Sequence, residues 1–403
     1  MAGSDSGSWR RGLHDLPSRL YYSRVSTLLN ELHQQAEAEF QPYGETEIVS
    51  TFGEVPAEYA AIRKGAALMD LPHRAILQVT GKDRLPFLNN LLTNQVFDKQ
   101  TKTSLAAGKG VYAFLLSAKT GRITTDLNVL ERGDRTLLEM DARMLAPVRQ
   151  ELDRYLFAEQ VKVENRSQEI HELAVHGPEA AEVLMAVGLD VSALGPLDST
   201  AGRALDDVEV TIFRDDPAGV PGYFLLVAAD AARKVWMELL SRFGPGDRAA
   251  VRRLRPVGWA AFNATRIEAG RPMFGIDFDE SILPHETGSA VLDRAVSFTK
   301  GCYPGQEIVA RMHARQQVAR RVAGLRIEGD ALPVAGSKIF DDKQNEIGGV
   351  TSSTISPVLS NAAIALCLLK RPHFVTGSKV LVPAEGTMRS ATVVDLPFVK
   401  QQP

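Results

Sequence analysis

The run Lys300-Gly301-Cys302-Tyr303-Pro304-Gly305-Gln306-Glu307-Ile308-Val309-Ala310-Arg311 carries more information than any other stretch of this 403-residue chain. Pro304-Gly305 is turn chemistry. Proline presets φ at the second position of a turn, and glycine takes the positive φ that a type II turn needs next. Gly301 adds backbone freedom immediately before the cysteine. Cys302 is therefore expected on a constrained loop, with Lys300 two residues upstream, where an ammonium group favours thiolate over thiol. Gln306 to Arg311 reads as a strand leaving the turn. Taken alone, Gly-Cys-Tyr-Pro-Gly is more often a tight turn holding a packed, structural cysteine.

Working outward, the length suggests two or three domains. A hydrophobic content of 44% and a charged content of 24% are those of an ordinary globular protein. The net charge of −3 gives no global basic field, so neither nucleic acid nor an anionic membrane is expected as a partner. No apolar run is long enough to span a bilayer. Two cysteines, Cys302 and Cys367, make no disulfide framework, and no secretory signal is visible, so a reducing, cytoplasmic setting is expected. Ser4, Ser6, Ser8, Arg10 and Arg11 tilt toward a transit segment, but Asp5 and Asp15 oppose that reading. The eight histidines are scattered and there is no Cys-x-x-Cys or His-Glu-x-x-His, so no metal site is expected.

Taken in order, residues 1–16 are polar and expected to be mobile. A helix is expected from Pro17 to about residue 40, and 41–60 reads as irregular because of Pro42, Gly44, Gly53 and Pro56. Then a theme recurs. A strand at Ala75–Thr80 precedes a helix opened by Asp83; strands at 111–117, 123–130 and 135–140 lead to a helix capped by Asp141. A second copy runs from a strand at 172–176 through Gly177-Pro178 and a helix, strands near 208–214 and 223–227, and a helix from Asp230. This reads as a weak duplication of a ferredoxin-like β-α-β-β-α unit. Residues 249–270 look helical. From Arg321 onward, six short segments with Gly and Pro breaks predict a small β-barrel.

Several flanking stretches extend the opening run: Arg266-Ile267-Glu268-Ala269-Gly270-Arg271-Pro272, Gly275-Ile276-Asp277, Leu283-Pro284-His285-Glu286, and Val296-Ser297-Phe298-Thr299 leading into Lys300. Gly349-Val350-Thr351-Ser352 and Ala363-Ile364-Ala365-Leu366 follow downstream. Together they resemble the YgfZ-type folate-binding proteins, relatives of the glycine-cleavage T-protein (aminomethyltransferase) superfamily, over roughly residues 40–400. The resemblance implies an α+β fold, a three-domain cloverleaf of two ferredoxin-like units and a C-terminal small β-barrel around a hole that takes tetrahydrofolate. The expected divisions are an N-terminal extension and helix over 1–40, a first unit over 41–160, a second over 161–320 and the barrel over 321–403.

The same resemblance assigns candidate roles. Glu268 corresponds to the superfamily's pterin-binding glutamate, since one carboxylate can accept both N–H groups of a pterin edge. The unassisted reading is a helix-end residue paired with Arg266 or Arg271. Phe262 or Trp259 offers an aromatic face to the ring, and both fit equally as helix core. Arg294, Arg311 and Arg315 are candidates for the folate tail, with Arg294 preferred. Gly121-Arg122-Ile123-Thr124-Thr125-Asp126-Leu127 resembles the Gly-Gly-x-x-Asp-Asp-Leu of aminomethyltransferases, with Thr125 where the acting aspartate is expected and Asp126 matching the second. In a regular strand Thr125 shares a face with Ile123, Leu127 and Val129, and Asp126 points the other way. That departure, with the Lys-Gly-Cys-Tyr signature, favours the YgfZ-type role: a folate-dependent accessory to iron–sulfur enzymes or their assembly proteins, with Cys302 reactive and Lys300 beside it. An aminomethyltransferase or demethylase is the alternative. Cys367 reads as an inert, buried strand residue.

Overall fold

Two antiparallel sheets and a barrel organise the computed structural model, which describes residues 27–205, 207–244, 254–315 and 317–400. The duplication seen in the sequence holds element by element. The first repeat runs through the strand Arg74–Thr80, helix Arg84–Leu91, strands Gly110–Leu116, Ile123–Glu131 and Arg135–Asp141, and helix Leu145–Arg154. The second runs through Ile170–His176, Ala180–Met185, Ser199–Ala204, Val208–Arg214, Gly222–Ala228 and Ala232–Phe243 in the same order. In both sheets the repeat's first strand pairs with its last. Ser199–Ala204 is an edge strand whose buried ends, Ser199 and Ala204, flank partly or wholly exposed residues.

Each sheet borrows a strand from just before the other repeat. Lys162–Asn165 joins Arg74–Thr80 in the first sheet, and Ala66–Asp70 joins Ile170–His176 in the second. A division at residue 160 therefore runs through a sheet. Leu254–Pro256 then adds in parallel to Ala66–Asp70. On one face each sheet packs its helices, through Leu77, Leu88, Leu127, Val129 and Val148 in the first and Leu173, Val175, Leu225 and Trp236 in the second. The opposite faces meet each other through Ile76, Tyr112, Phe114 and Leu137 against Phe213 and Leu226.

Residues 41–60 are more regular than expected. Gly44 turns a hairpin between Glu39–Tyr43 and Thr46–Thr51, and Pro56 sits in the first turn of the helix Val55–Lys64, where its missing N–H has no cost. The helix expected from Pro17 is seen as Thr27–Gln35, and its predicted start lies outside the described residues, as does 249–253 of the predicted 249–270 helix. The described part of that segment is the short strand and the helix Trp259–Glu268. Gln306 to Arg311 is not a strand but the start of the helix Gln306–Arg315. Glu307 stands in its first turn and His313 and Arg315 in its last, as the helix dipole favours.

The six predicted barrel segments close into a six-stranded barrel filled by Leu325, Ile339, Val350, Ala365, Val382 and Val393. Cys367 lies in that core, its thiol pushed up by burial and donating to the Ala323 carbonyl at 3.4 Å. Among the described residues no helix is long and apolar enough to cross a membrane.

Candidate functional site

The helix Trp259–Glu268 is buried on nearly every side and ties the three parts together. Arg266 makes an ion pair of 2.6 Å with Asp277 and donates to Ser352 Oγ of the barrel at 2.8 Å. Glu268, fully buried, accepts from Tyr59 Oη at 2.9 Å, from Ser356 Oγ of the barrel at 2.5 Å and from the Arg63 guanidinium. Its carboxylate is engaged by three protein groups that clamp this helix to the helix Val55–Lys64 and to the barrel. The partners expected from sequence, Arg266 and Arg271, are taken by Asp277 and Asp215. Trp259 and Phe262 belong to the apolar cluster around this helix, with their rings 5.8 Å apart and Phe262 5.4 Å from the buried His176 ring. They are packed as core.

Thr125 and Asp126 lie on opposite faces of the strand, as expected, but Ile123 does not share the face of Thr125. Leu115 pairs with Thr125 but Leu116 with Ile123, so the strand bulges at Thr124. Ile123 faces the layer between the sheets, while Thr125 turns with Leu127 and Val129 to the helix side, its hydroxyl donating to the Asp126 carbonyl at 3.0 Å. Asp126 consequently points inward. Tyr112 Oη donates to it at 2.7 Å. Burial raises the Asp126 carboxyl above its ordinary value, with Arg74 and the Tyr112 hydrogen bond pulling the other way.

Tyr112 leads to a cleft of about 350 Å³ that Asn94, Leu197, Asp215, Arg271 and Arg294 also line. The Arg294 guanidinium lies 4.5 Å from the Tyr112 ring centre and 2.8 Å from Asp215, whose other oxygen takes Arg271 at 2.9 Å. Burial works against the charged carboxylate, but the two guanidinium groups outweigh it and hold Asp215 at about 2. The lining carries two guanidinium groups, Arg271 and Arg294, and two carboxylates, Asp215 and Asp216, the second of which is paired with Arg214 at 3.0 Å. Of the three arginines proposed for an anionic tail, Arg294 is at the cleft. Arg311 is 64% exposed on the 306–315 helix and paired only loosely with Glu307, and Arg315 lies on that same helix.

The opening run of the sequence forms the cleft's buttress. Lys300 is turned inward, donating to the carbonyls of Asn89 at 2.6 Å, Asn94 at 3.2 Å and Leu92. Burial and the charge of Lys99 pull its pKa down to about 7. Its ammonium is committed to these carbonyls and does not serve Cys302, whose side chain is exposed. Asn94 in turn donates to the carbonyls of Tyr112 and Arg294 at 2.9 Å. Gly305, at φ +78°, sits where a Cβ would come within 3.0 Å of Gly121 Cα, so the loop lies against the turn that feeds the Asp126 strand.

Sequence reading missed Tyr112, Asp215, Arg271 and Asn94. Tyr112 was accessible in principle, because it alternates with apolar residues on a predicted strand. Nothing local marks the other three.

Comparison with known proteins agrees with this architecture. The GCVT N-terminal domain family matches residues 29–300, and the glycine cleavage T-protein C-terminal barrel domain matches 320–400. An aminomethyltransferase of Chlorobium phaeobacteroides is 28% identical across 93% of this chain and 98% of its own. One of Geobacillus kaustophilus is 28% identical with the same coverage. The crystal structure of the glycine cleavage system aminomethyltransferase T from Bartonella henselae superposes with a TM-score of 0.81 at 26% identity, covering 93% of this chain and 98% of that one. This chain belongs to the glycine cleavage T-protein family.

Proposed function

We propose that this chain binds tetrahydrofolate and transfers a one-carbon unit to it, in the manner of an aminomethyltransferase, with Asp126 as the acid–base group. The observation that carries this reading is the inward-facing Asp126, partly buried, hydrogen-bonded to Tyr112 and connected through it to the arginine-lined cleft. Thr125 stands where the resemblance places the acting aspartate, and Asp126 is the neighbouring carboxylate that reaches Tyr112 and the cleft. Arg294 and Arg271 supply cations suited to the carboxylates of a folate tail. Tetrahydrofolate supplies the nucleophilic nitrogens. The protein positions them and holds a carboxylate of raised pKa within reach of a proton in transit. The full-length similarity to aminomethyltransferases supports the same reading.

The assay is methylene-tetrahydrofolate formation from tetrahydrofolate and an aminomethyl-loaded lipoyl carrier protein. Turnover that Asp126→Asn abolishes is the expected result. Absence of turnover, with tetrahydrofolate binding verified in the same sample, removes the transferase reading. A second reading is then the accessory role toward iron–sulfur enzymes. The exposed Cys302 within its Lys-Gly-Cys-Tyr signature favours it. In that case Cys302→Ala leaves folding intact and lowers the activity of dependent iron–sulfur enzymes in cells. Normal activity of those enzymes removes it.

A further inference from the structure

The interior between the sheets holds polar groups that the protein itself leaves without partners. On the strand Ile170–His176, Leu173 and Val175 face the helix-side core, so Glu172, Ala174 and His176 face the other way. Glu172 is only 4% exposed, yet neither carboxyl oxygen has a hydrogen-bond partner. His176 is fully buried, with its ring 5.4 Å from Phe262 and 5.5 Å from Phe224, and neither ring nitrogen is partnered. From the first sheet, Asn128 Nδ2 donates to Glu139 at 2.8 Å, while Asn128 Oδ1 is unpartnered. Arg74, the nearest cation to Glu172, is engaged by Glu139. Asn128 stands two residues along the same strand face from Asp126, so these groups continue inward the polar line that starts at Arg294 and Tyr112.

Buried polar groups are normally satisfied, and a carboxyl with two idle oxygens is costly to hold in a core layer. A ligand whose ring carries N–H groups side by side removes that cost. One carboxyl group can meet a ring N–H and an adjacent amine together. Glu268, the residue expected to do this, is occupied by Tyr59, Arg63 and Ser356.

We propose that Glu172 reads the amine-bearing edge of a 2-amino-4-oxo-pyrimidine ring and is a specificity-determining residue of the interior site. The proposal rests on the folate reading above and adds the residue that distinguishes the ring head. Burial first, and Glu139 second, raise the Glu172 carboxyl well above its ordinary value, with Arg74 opposing. Hydrogen bonds donated by the ring's N–H groups favour the ionised form, so the carboxyl gives up its proton to solvent as the ring binds.

The test measures calorimetric affinity for tetrahydrofolate and for its analogue with methyl in place of the 2-amino group, using the full chain and the variants Glu172→Leu and Glu172→Gln. The wild type is expected to prefer tetrahydrofolate by at least about tenfold, a lost hydrogen bond to a buried polar group. Glu172→Leu is expected to lose that preference while melting no lower than the wild type, because the leucine removes an unsatisfied group. Glu172→Gln, nearly isosteric, is expected to fold as the wild type does and to show a reduced preference. Undiminished discrimination in both variants overturns the assignment and leaves Glu172 solvated by internal water. A lower melting temperature with both ligands weakened equally makes Glu172 structural and also overturns it. A wild type that binds neither ligand overturns the folate reading itself, and this inference with it.

Discussion

Two buried glutamates, Glu268 and Glu172, differ in a way that separates the frame of this protein from its site. Glu268 ends a helix at the junction with the barrel, and its carboxylate is met by a tyrosine, a serine and an arginine from three parts of the chain. Glu172 lies between the sheets and is met by nothing in the protein. A buried charge that the fold satisfies is a structural device; one that the fold leaves unsatisfied waits for something else. Glu268, which family resemblance assigned to the ligand, is the one of the two that the fold engages.

The contrast breaks most directly at Glu268. Replacing it with alanine leaves Arg63, Tyr59 and Ser356 facing a gap, and about 3–5 kcal/mol of stability is expected to go. Urea denaturation checks this, and a loss below about 1 kcal/mol removes the clamp. On the site side, Asp126→Asn is expected to keep the fold and cost roughly 10²–10⁴ in transfer rate. A variant that loses stability instead returns Asp126 to the frame.

A pH series sharpens the comparison further. Burial depresses His73 and His176 to about 4, below the ordinary value of 6.5. The unfolded chain therefore binds more protons between these values. Stability is fully present above about 6.5 and is lost as pH falls toward 4, by up to roughly 3 kcal/mol per histidine. Urea midpoints between pH 7.5 and 5 are expected to fall, and His176→Phe is expected to flatten the slope. An unchanged slope in that variant means that His176 is already satisfied.

Smaller effects lie at the edges. Tyr112→Phe removes one hydrogen bond to Asp126 and is expected to cost about 1 kcal/mol, read as a shift of the denaturation midpoint. Cys302→Ala is expected to change stability by less than about 0.5 kcal/mol, since the side chain is exposed. A larger loss means that the loop depends on the thiol.

How much was legible follows from the range of each signal. The barrel strands, the duplicated units and the Pro304-Gly305 turn are local patterns, and the structure contains all of them. The strand expected at Gln306–Arg311 failed because five or six residues carry too little periodicity to separate strand from helix, and the helix continues to Arg315. Ile123 was expected on the face of Thr125 and lies on the opposite one, because a bulge changes the facing of every residue on one side of it, and its position depends on the partner strand.

By itself, the sequence determined the barrel strands, the repeated unit and the T-protein superfamily, because alternation, turn residues and motifs act within a dozen residues. It did not determine which carboxylates are free. Lys300 meets Asn89 across 211 positions, Tyr59 meets Glu268 across 209, and Arg271 meets Asp215 across 56. Whether a buried charge is spent on the fold or left for a ligand depends on partners that only the folded chain brings within 3 Å, and that was decided by the tertiary structure alone.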